Sequence, residues 1–223
     1  LNEHDVVSVR IENRIAWVKF ARPDKRNAMS PALNRRMMDV LDELEFDDNV
    51  GVLVLGGEGT AWSAGMDLKE YFRETEAQGL RGVRRSQRES YGWFRRLRWY
   101  QKPTIAMVNG WCFGGGFGPL FACDLAIAAD EAQFGLSEIN WGILPGGGVT
   151  KVAVELLSMR DAMWMTLTGE MVDGKKLPNG AWSTKACRWN AWRHAPAKWP
   201  NCCCARTRSR SSTPRMRCAA SAP

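Results

Sequence analysis

Apolar and polar positions alternate from the start of the chain. Val6 to Ile11 and Ile15 to Phe20 alternate apolar with other residues on either side of Glu12-Asn13-Arg14, which predicts a β-hairpin. Ser30-Pro31 then offers an N-cap followed by proline at the first helical position. Leu33, Met37, Val40, Leu41 and Leu44 recur behind it at helical spacing, so the pattern predicts an amphipathic helix over 31–46. Gly51 to Leu55 is a short buried strand, closed by Gly56-Gly57-Glu58-Gly59. Leu68 to about Arg98 is mostly helical, with Gly79 and Gly82 expected to interrupt it. Thr104–Val108 and Leu125–Ala128 are apolar strands, and Gly114–Ala122, Val149–Leu157 and Asp161–Leu167 are helical. Strands and helices alternate, and short strands precede glycine-rich turns, so the fold class is α/β.

The 223 residues suffice for one sizeable core. A net charge of +7 suggests a basic protein, but the average hides a split. Residues 1–173 hold 20 basic and 24 acidic residues, a net −4, whereas residues 174–223 hold 11 basic residues and no acidic ones. The basicity therefore belongs to the tail. Cysteine divides the same way: only Cys112 and Cys123 lie in the body, where they read as buried structural thiols. No disulfide framework, metal-ligand spacing, charged leader or bilayer-length apolar run stands out. The expectation is a soluble cytoplasmic protein without a metal.

Two glycine-bearing turns each follow an apolar strand, Ala61–Leu68 and Asn109–Phe117, the second holding the triplet Gly114-Gly115-Gly116. Helix N-termini present unpaired N–H groups, and two of them facing one point would hold an oxygen that becomes negative during reaction. Taken singly, each turn also fits tight helix–strand packing. Glu138 lies between apolar neighbours in Leu136-Ser137-Glu138-Ile139, where desolvation would suit it to proton transfer; an exposed carboxylate at a helix start is the alternative.

Taken together, Arg22–Met29, Ala64-Gly65-Met66-Asp67-Leu68, the glycine triplet, Ser137-Glu138 and Pro145-Gly146 resemble the ordered signature of the crotonase superfamily. Asp67–Glu74, Asn109–Phe117 and Ser137–Gly142 resemble more narrowly its hydroxycinnamoyl-CoA hydratase-lyases, and the likeness runs over about 5–173. The resemblance implies a crotonase-like spiral of ββα units, usually assembled as trimers or hexamers. It implies an oxyanion hole from the amides of Met66 and Gly115, with Glu138 as the catalytic acid–base. It also implies contacts to the acyl-CoA from Lys25, Ala64, Leu68, Ser137 and Trp141. Coenzyme A enters as part of the substrate, so no separate cofactor is expected. The arginines between Arg81 and Arg98 read as a solvated helical face, or as groups that meet CoA phosphates.

One position departs from the pattern. Simple enoyl-CoA hydratases carry a second glutamate where this chain has Gly118, and the hydratase-lyases usually carry serine there. The leading expectation is hydration and retro-aldol cleavage of a 4-hydroxycinnamoyl-CoA thioester. Another crotonase reaction and a non-catalytic CoA-binding remnant are the alternatives. Nucleic-acid binding ranks last, since the positive charge sits only in the tail, and no membrane partner is expected.

Residues 1–173 thus form the expected catalytic domain, and 174–223 a basic, Cys- and Trp-rich tail that is expected to be disordered. The tail has one leucine, Leu177, no Val, Ile or Phe, four tryptophans and five cysteines, a composition that builds no ordinary core. Its cause is legible in the genetic code. Trp199-Pro200-Asn201-Cys202-Cys203-Cys204 requires TGG CCN AAY TGY TGY TGY. Read one base earlier, this gives Met or Val, then Ala, then Lys, Gln or Glu, then three leucines. The expectation is a frameshift near residue 176, displacing the C-terminal helices that in the family help build the trimer and cover the acyl pocket. We predict that the gene's nucleotide sequence carries a leucine-containing, helix-forming frame there, offset by one base. Sequencing the gene checks this, and absence of such a frame would overturn it.

Overall fold

Strand pairing sorts the chain into two sheets. The computed structural model describes residues 6–175 and 185–187. The larger sheet opens with the predicted hairpin, β1 (Val7–Glu12) antiparallel to β2 (Ile15–Phe20) through Asn13 and Arg14, both at positive φ. It continues in parallel through β3 (Val52–Gly57), β5 (Thr104–Val108), β7 (Leu125–Ala129) and β10 (Lys185–Cys187). The smaller sheet pairs β4 (Ala61–Ser63), β6 (Trp111–Phe113) and β8 (Gln133–Gly135) in parallel, with β9 (Val172–Asp173) antiparallel at its edge.

Each unit repeats one plan. A long strand of the large sheet leads into a short strand of the small sheet, and a helical connection returns. β3 and β4 are followed by a π-helical turn (Leu68–Arg73), α2 (Glu74–Ala77) and α3 (Gly79–Arg98). β5 and β6 are followed by a tight turn over Gly114–Gly116 and α4 (Phe117–Ala122), and β7 and β8 by α5 (Val149–Leu156) and α6 (Met159–Thr168). This is the expected α/β spiral of ββα units. The short strands of the small sheet escape prediction because three residues carry too little periodicity.

Period-two alternation turns Leu53 and Leu55 toward the main core and Val52 and Val54 toward a second cluster with Ile15, Ile105 and Met107. Burial on both faces is what a parallel sheet demands. Helix α1 (Pro31–Glu45) starts where proline predicts, with the Ser30 hydroxyl accepting from the Leu33 amide at 3.2 Å. It packs on α3, whose fully buried Trp93 donates from its indole to Asn34 Oδ1 at 2.9 Å. Trp93 and Trp62 both meet Phe20 edge-on. Gly79 breaks the helical stretch at positive φ, as expected. Gly82 does not: it lies buried inside α3, where a β-carbon would stand 2.7 Å from the Thr75 carbonyl, so it marks close packing.

Most of the segment after Gly174, namely 176–184 and 188–223, lies outside the described residues, and with it most of the expected irregular tail. Lys185–Cys187, which falls within that segment, forms a strand parallel to β7. Backbone hydrogen bonding recruits a strand whatever its side chains.

Asn27 ties the first loop down. Fully buried and at φ 55°, it accepts from the Arg22 amide at 2.9 Å and donates to the carbonyls of Glu58 and Ala61 at 2.9 and 2.8 Å. Asn27→Ala loses all three bonds and puts alanine in a left-handed conformation, so we expect a loss of about 2–4 kcal/mol. The urea midpoint measures it, and a loss under about 1 kcal/mol would show that these bonds do not hold the loop.

Candidate active site

The turn after β4 and the turn after β6 meet because their strands are neighbours in the small sheet. Trp62 donates from its indole to the Gly116 carbonyl at 2.9 Å, bonding one turn to the other. Gly65, at φ 93°, lies so close that a β-carbon there would stand 2.8 Å from the Phe113 carbonyl and 3.1 Å from the Gly115 nitrogen. Only glycine fits both demands.

Met66 pairs with Met29 in an isolated parallel bridge, made by the Met29 amide to the Gly65 carbonyl (2.8 Å) and the Asp67 amide to the Met29 carbonyl (3.0 Å). In a parallel bridge the central residue's own amide points away from its partner. The Gly115 amide lies in the first turn of a helical run, where N–H groups have no intrahelical acceptor. The Met66 nitrogen is 3.3 Å from where a Gly115 β-carbon would be, so the two amides are neighbours.

Asp67 holds this turn at the head of the helical stretch, accepting from the amides of Lys69 and Glu70 at 3.0 and 2.9 Å. Arg22, 3% exposed, clamps it from behind. Its guanidinium donates to Asp67 Oδ2 at 3.1 Å, the Ala28 carbonyl at 2.7 Å and Glu70 Oε1 at 2.6 Å. The Ser63 hydroxyl adds a further tie, donating to the Asn27 carbonyl and accepting from the Gly65 amide.

Glu138 arrives from the third unit, on the 3-10 turn Ser137–Trp141 just after β8. Its carboxylate stands over Gly114, where a β-carbon would come within 2.9 Å of Oε1. Its other oxygen, Oε2, is buried and has no hydrogen-bond partner among the described residues. Burial pushes the carboxyl's pKa up from its ordinary value, only partly countered by a backbone hydrogen bond. The exposed-carboxylate alternative is thereby set aside.

These groups open onto one cavity of about 610 Å³. Ala64, Met66, Leu68, Gly115, Ser137, Glu138 and Trp141 all line it. Lys25 does not: it lies exposed on the turn Pro23–Lys25, and its neighbour Arg26 takes the place at the lining, its guanidinium 4.8 Å above the Trp111 ring. Sequence reasoning also missed an aromatic wall. Gln87, Tyr91 and Phe94 of α3 face the cavity, and their spacing of four and three residues was a readable helical stripe hidden among arginines. Those arginines lie on the outer surface, Arg85 paired with Glu89, and Arg96 with Asp42 and Glu45.

Among the described residues, Cys112 and Cys123 are buried free thiols, both with pKa pushed far up by burial, and they serve packing. No group of three His, Cys, Asp or Glu side chains among those residues could hold a metal ion. No helix among them is long and apolar enough to cross a membrane.

Known proteins are similar to this chain. The sequence profile of the enoyl-CoA hydratase/isomerase family matches residues 10–179. A hydroxycinnamoyl-CoA hydratase-lyase of Pseudomonas fluorescens is 58% identical over 171 residues, covering 76% of this chain and 62% of its own length. A putative enoyl-CoA hydratase of Thermus thermophilus is 35% identical over 172 residues, covering 75% and 66%. The chain thus spans about three fifths to two thirds of the length of these curated relatives. Among solved structures, an enoyl-CoA hydratase subunit of Geobacillus kaustophilus superimposes with a TM-score of 0.79 at 26% identity, over 91% of this chain and 77% of that one. A Magnetospirillum magneticum enoyl-CoA hydratase/racemase reaches 0.82 at 21% identity, over 90% and 75%, a likeness of fold.

The raised pKa of Glu138 carries a stability signature. Between its ordinary value near 4.5 and the higher folded value, the folded chain holds a proton that the unfolded chain has released. The neutral acid's contribution is therefore complete below 4.5 and lost as pH rises through that window. Glu138→Gln is free of this loss, so the variant should gain stability relative to the parent between about pH 4 and about pH 7. Urea midpoints at both pH values check it; a constant difference would mean that the carboxyl is as well solvated folded as unfolded.

Proposed function

The chain belongs to the enoyl-CoA hydratase/isomerase family, and from that premise we propose that it hydrates 4-hydroxycinnamoyl-CoA thioesters and cleaves the product to an aromatic aldehyde and acetyl-CoA. The observation that carries this reading is the half-buried carboxylate of Glu138, the one carboxylate among the described residues lining this cavity, together with the paired turns of Met66 and Gly115. The 58% identity to a hydratase-lyase supports it. The aromatic lining supports the choice of acyl group, since aryl rings pack favourably on Tyr91, Phe94 and Phe113.

In this reading the thioester carbonyl accepts from the Met66 and Gly115 amides. Glu138 takes a proton from water as its oxygen bonds to the β-carbon, then returns that proton to the α-carbon of the resulting enolate and is again a carboxylate. Negative charge gathers on the carbonyl oxygen as the β-carbon is attacked, so donors fixed there lower the barrier more than they stabilise the ground state. In the second step Glu138 removes the proton of the β-hydroxyl. The bond between the α- and β-carbons breaks, the aldehyde forms, and the electron pair returns to the acetyl-CoA enolate in the same hole. Protonation of that enolate completes the cycle. A raised pKa suits an acid that must both accept and return a proton near neutrality.

Gly118 supports a site without a second carboxylate, and so disfavours simple hydration. We further expect a homotrimer or hexamer acting on an acyl-CoA in the cytoplasm, with coenzyme A as part of the substrate. Neither a metal nor nucleic acid nor a membrane has a part in this reading.

Incubation with feruloyl-CoA should yield vanillin and acetyl-CoA in equal amounts, followed by absorbance and mass spectrometry. Glu138→Ala should lower the rate by about 10²–10⁴. Accumulation of the β-hydroxy thioester without aldehyde would replace cleavage by simple hydration.

A further inference from the structure

Gly118 lies in α4, next to Phe117 at the helix start. A β-carbon built on it would stand 2.7, 3.0 and 3.1 Å from Cε2, Cδ2 and Cζ of Phe94. Three ring atoms lie inside ordinary van der Waals distance, so even a methyl group at 118 requires the ring to move. Phe94 lines the acyl cavity and Gly118 does not, so the ring stands between α4 and the chamber. Its neighbours hold it there. Phe94 packs edge-on against Trp93 with ring centroids 4.4 Å apart, and Trp93 is fixed by its bond to Asn34. Tyr91, also on the lining, meets it at 6.4 Å.

We propose that Phe94, seated against Gly118, is a specificity-determining residue that selects planar aryl thioesters over short aliphatic ones. The ring presents an apolar wall where a side chain from α4 would otherwise enter. An aryl acyl group gains ring–ring packing there, and a four-carbon acyl chain has no ring to offer. Among the described residues, Glu138 is the one carboxylate lining the chamber. The proposal rests on the acyl-thioester reading above.

The test uses the full chain with Glu138→Gln added to stop turnover, and feruloyl-CoA and crotonyl-CoA as calorimetric ligands. Phe94→Ala should weaken feruloyl-CoA binding about tenfold and crotonyl-CoA binding less than about threefold. Gly118→Ala should weaken feruloyl-CoA binding by displacing the ring, yet add nothing once Phe94→Ala is present. Circular dichroism verifies folding, and Phe94→Leu, with a smaller loss in the same direction, replaces any variant that does not fold. Equal weakening of both ligands, or additive effects at 94 and 118, would overturn the proposal alone. A parent that binds neither thioester would overturn the functional reading and this proposal with it.

Discussion

The Trp62 indole donates to the Gly116 carbonyl, and Gly65 lies against the Phe113 carbonyl at a spacing that no β-carbon could share. These contacts join two turns separated by about fifty residues of chain, and the cavity floor is what they enclose. The pairing is inherited from the small sheet, where β4 and β6 lie side by side. Short strands suffice, since their task is to deliver two backbone turns to one place. A larger residue at position 65 would wedge the turns apart and part the amides of Met66 and Gly115, although neither amide belongs to the altered residue.

Electrostatics secure the same turns at some cost. A guanidinium as buried as that of Arg22 loses its hydration, and such a group is tolerated only when its donors are matched. Asp67, Glu70 and the Ala28 carbonyl match them. Asp67 answers Arg22 with one oxygen and caps the following helical turn with the other. One carboxylate thereby fixes the direction in which the chain leaves Met66. Glu138 is the counter-example, because its buried Oε2 has no partner among the described residues. The fold matches the buried guanidinium and leaves this carboxylate oxygen unmatched among the described residues, which on the proposed reading separates scaffold from chemistry.

Much of this was legible in the chain itself. The helix over 31–46, the hairpin and the apolar strands followed from periodicity, and Ser30-Pro31 marked a helix start to the residue. Ala64, Met66, Leu68, Gly115, Ser137, Glu138 and Trp141 of the cavity lining were named from the motifs, because backbone turns and their glycines are local features. Three things were not legible. The short strands β4, β6 and β8 take their structure from neighbours rather than from their own pattern. Lys25 and Arg26 are adjacent cations, and it is Arg26, in a left-handed backbone at φ 48°, whose guanidinium meets Trp111, a choice that composition does not display. Phe94 lies on a helix whose many arginines dominate its composition, so its inward face was masked by its outward one.

The order of the units along the chain has a consequence for how such a site comes into being on the ribosome. Met66 belongs to the turn made first, Gly115 to the next, and Glu138 to the third. A chain emerging N-terminus first exposes the paired turns before the turn that carries the carboxylate. For that interval, on the proposed reading, the nascent protein has the elements that would hold an acyl oxygen but no group to move a proton. On that reading reactivity arrives last, with the turn that carries Glu138, onto a scaffold whose turns are already in place.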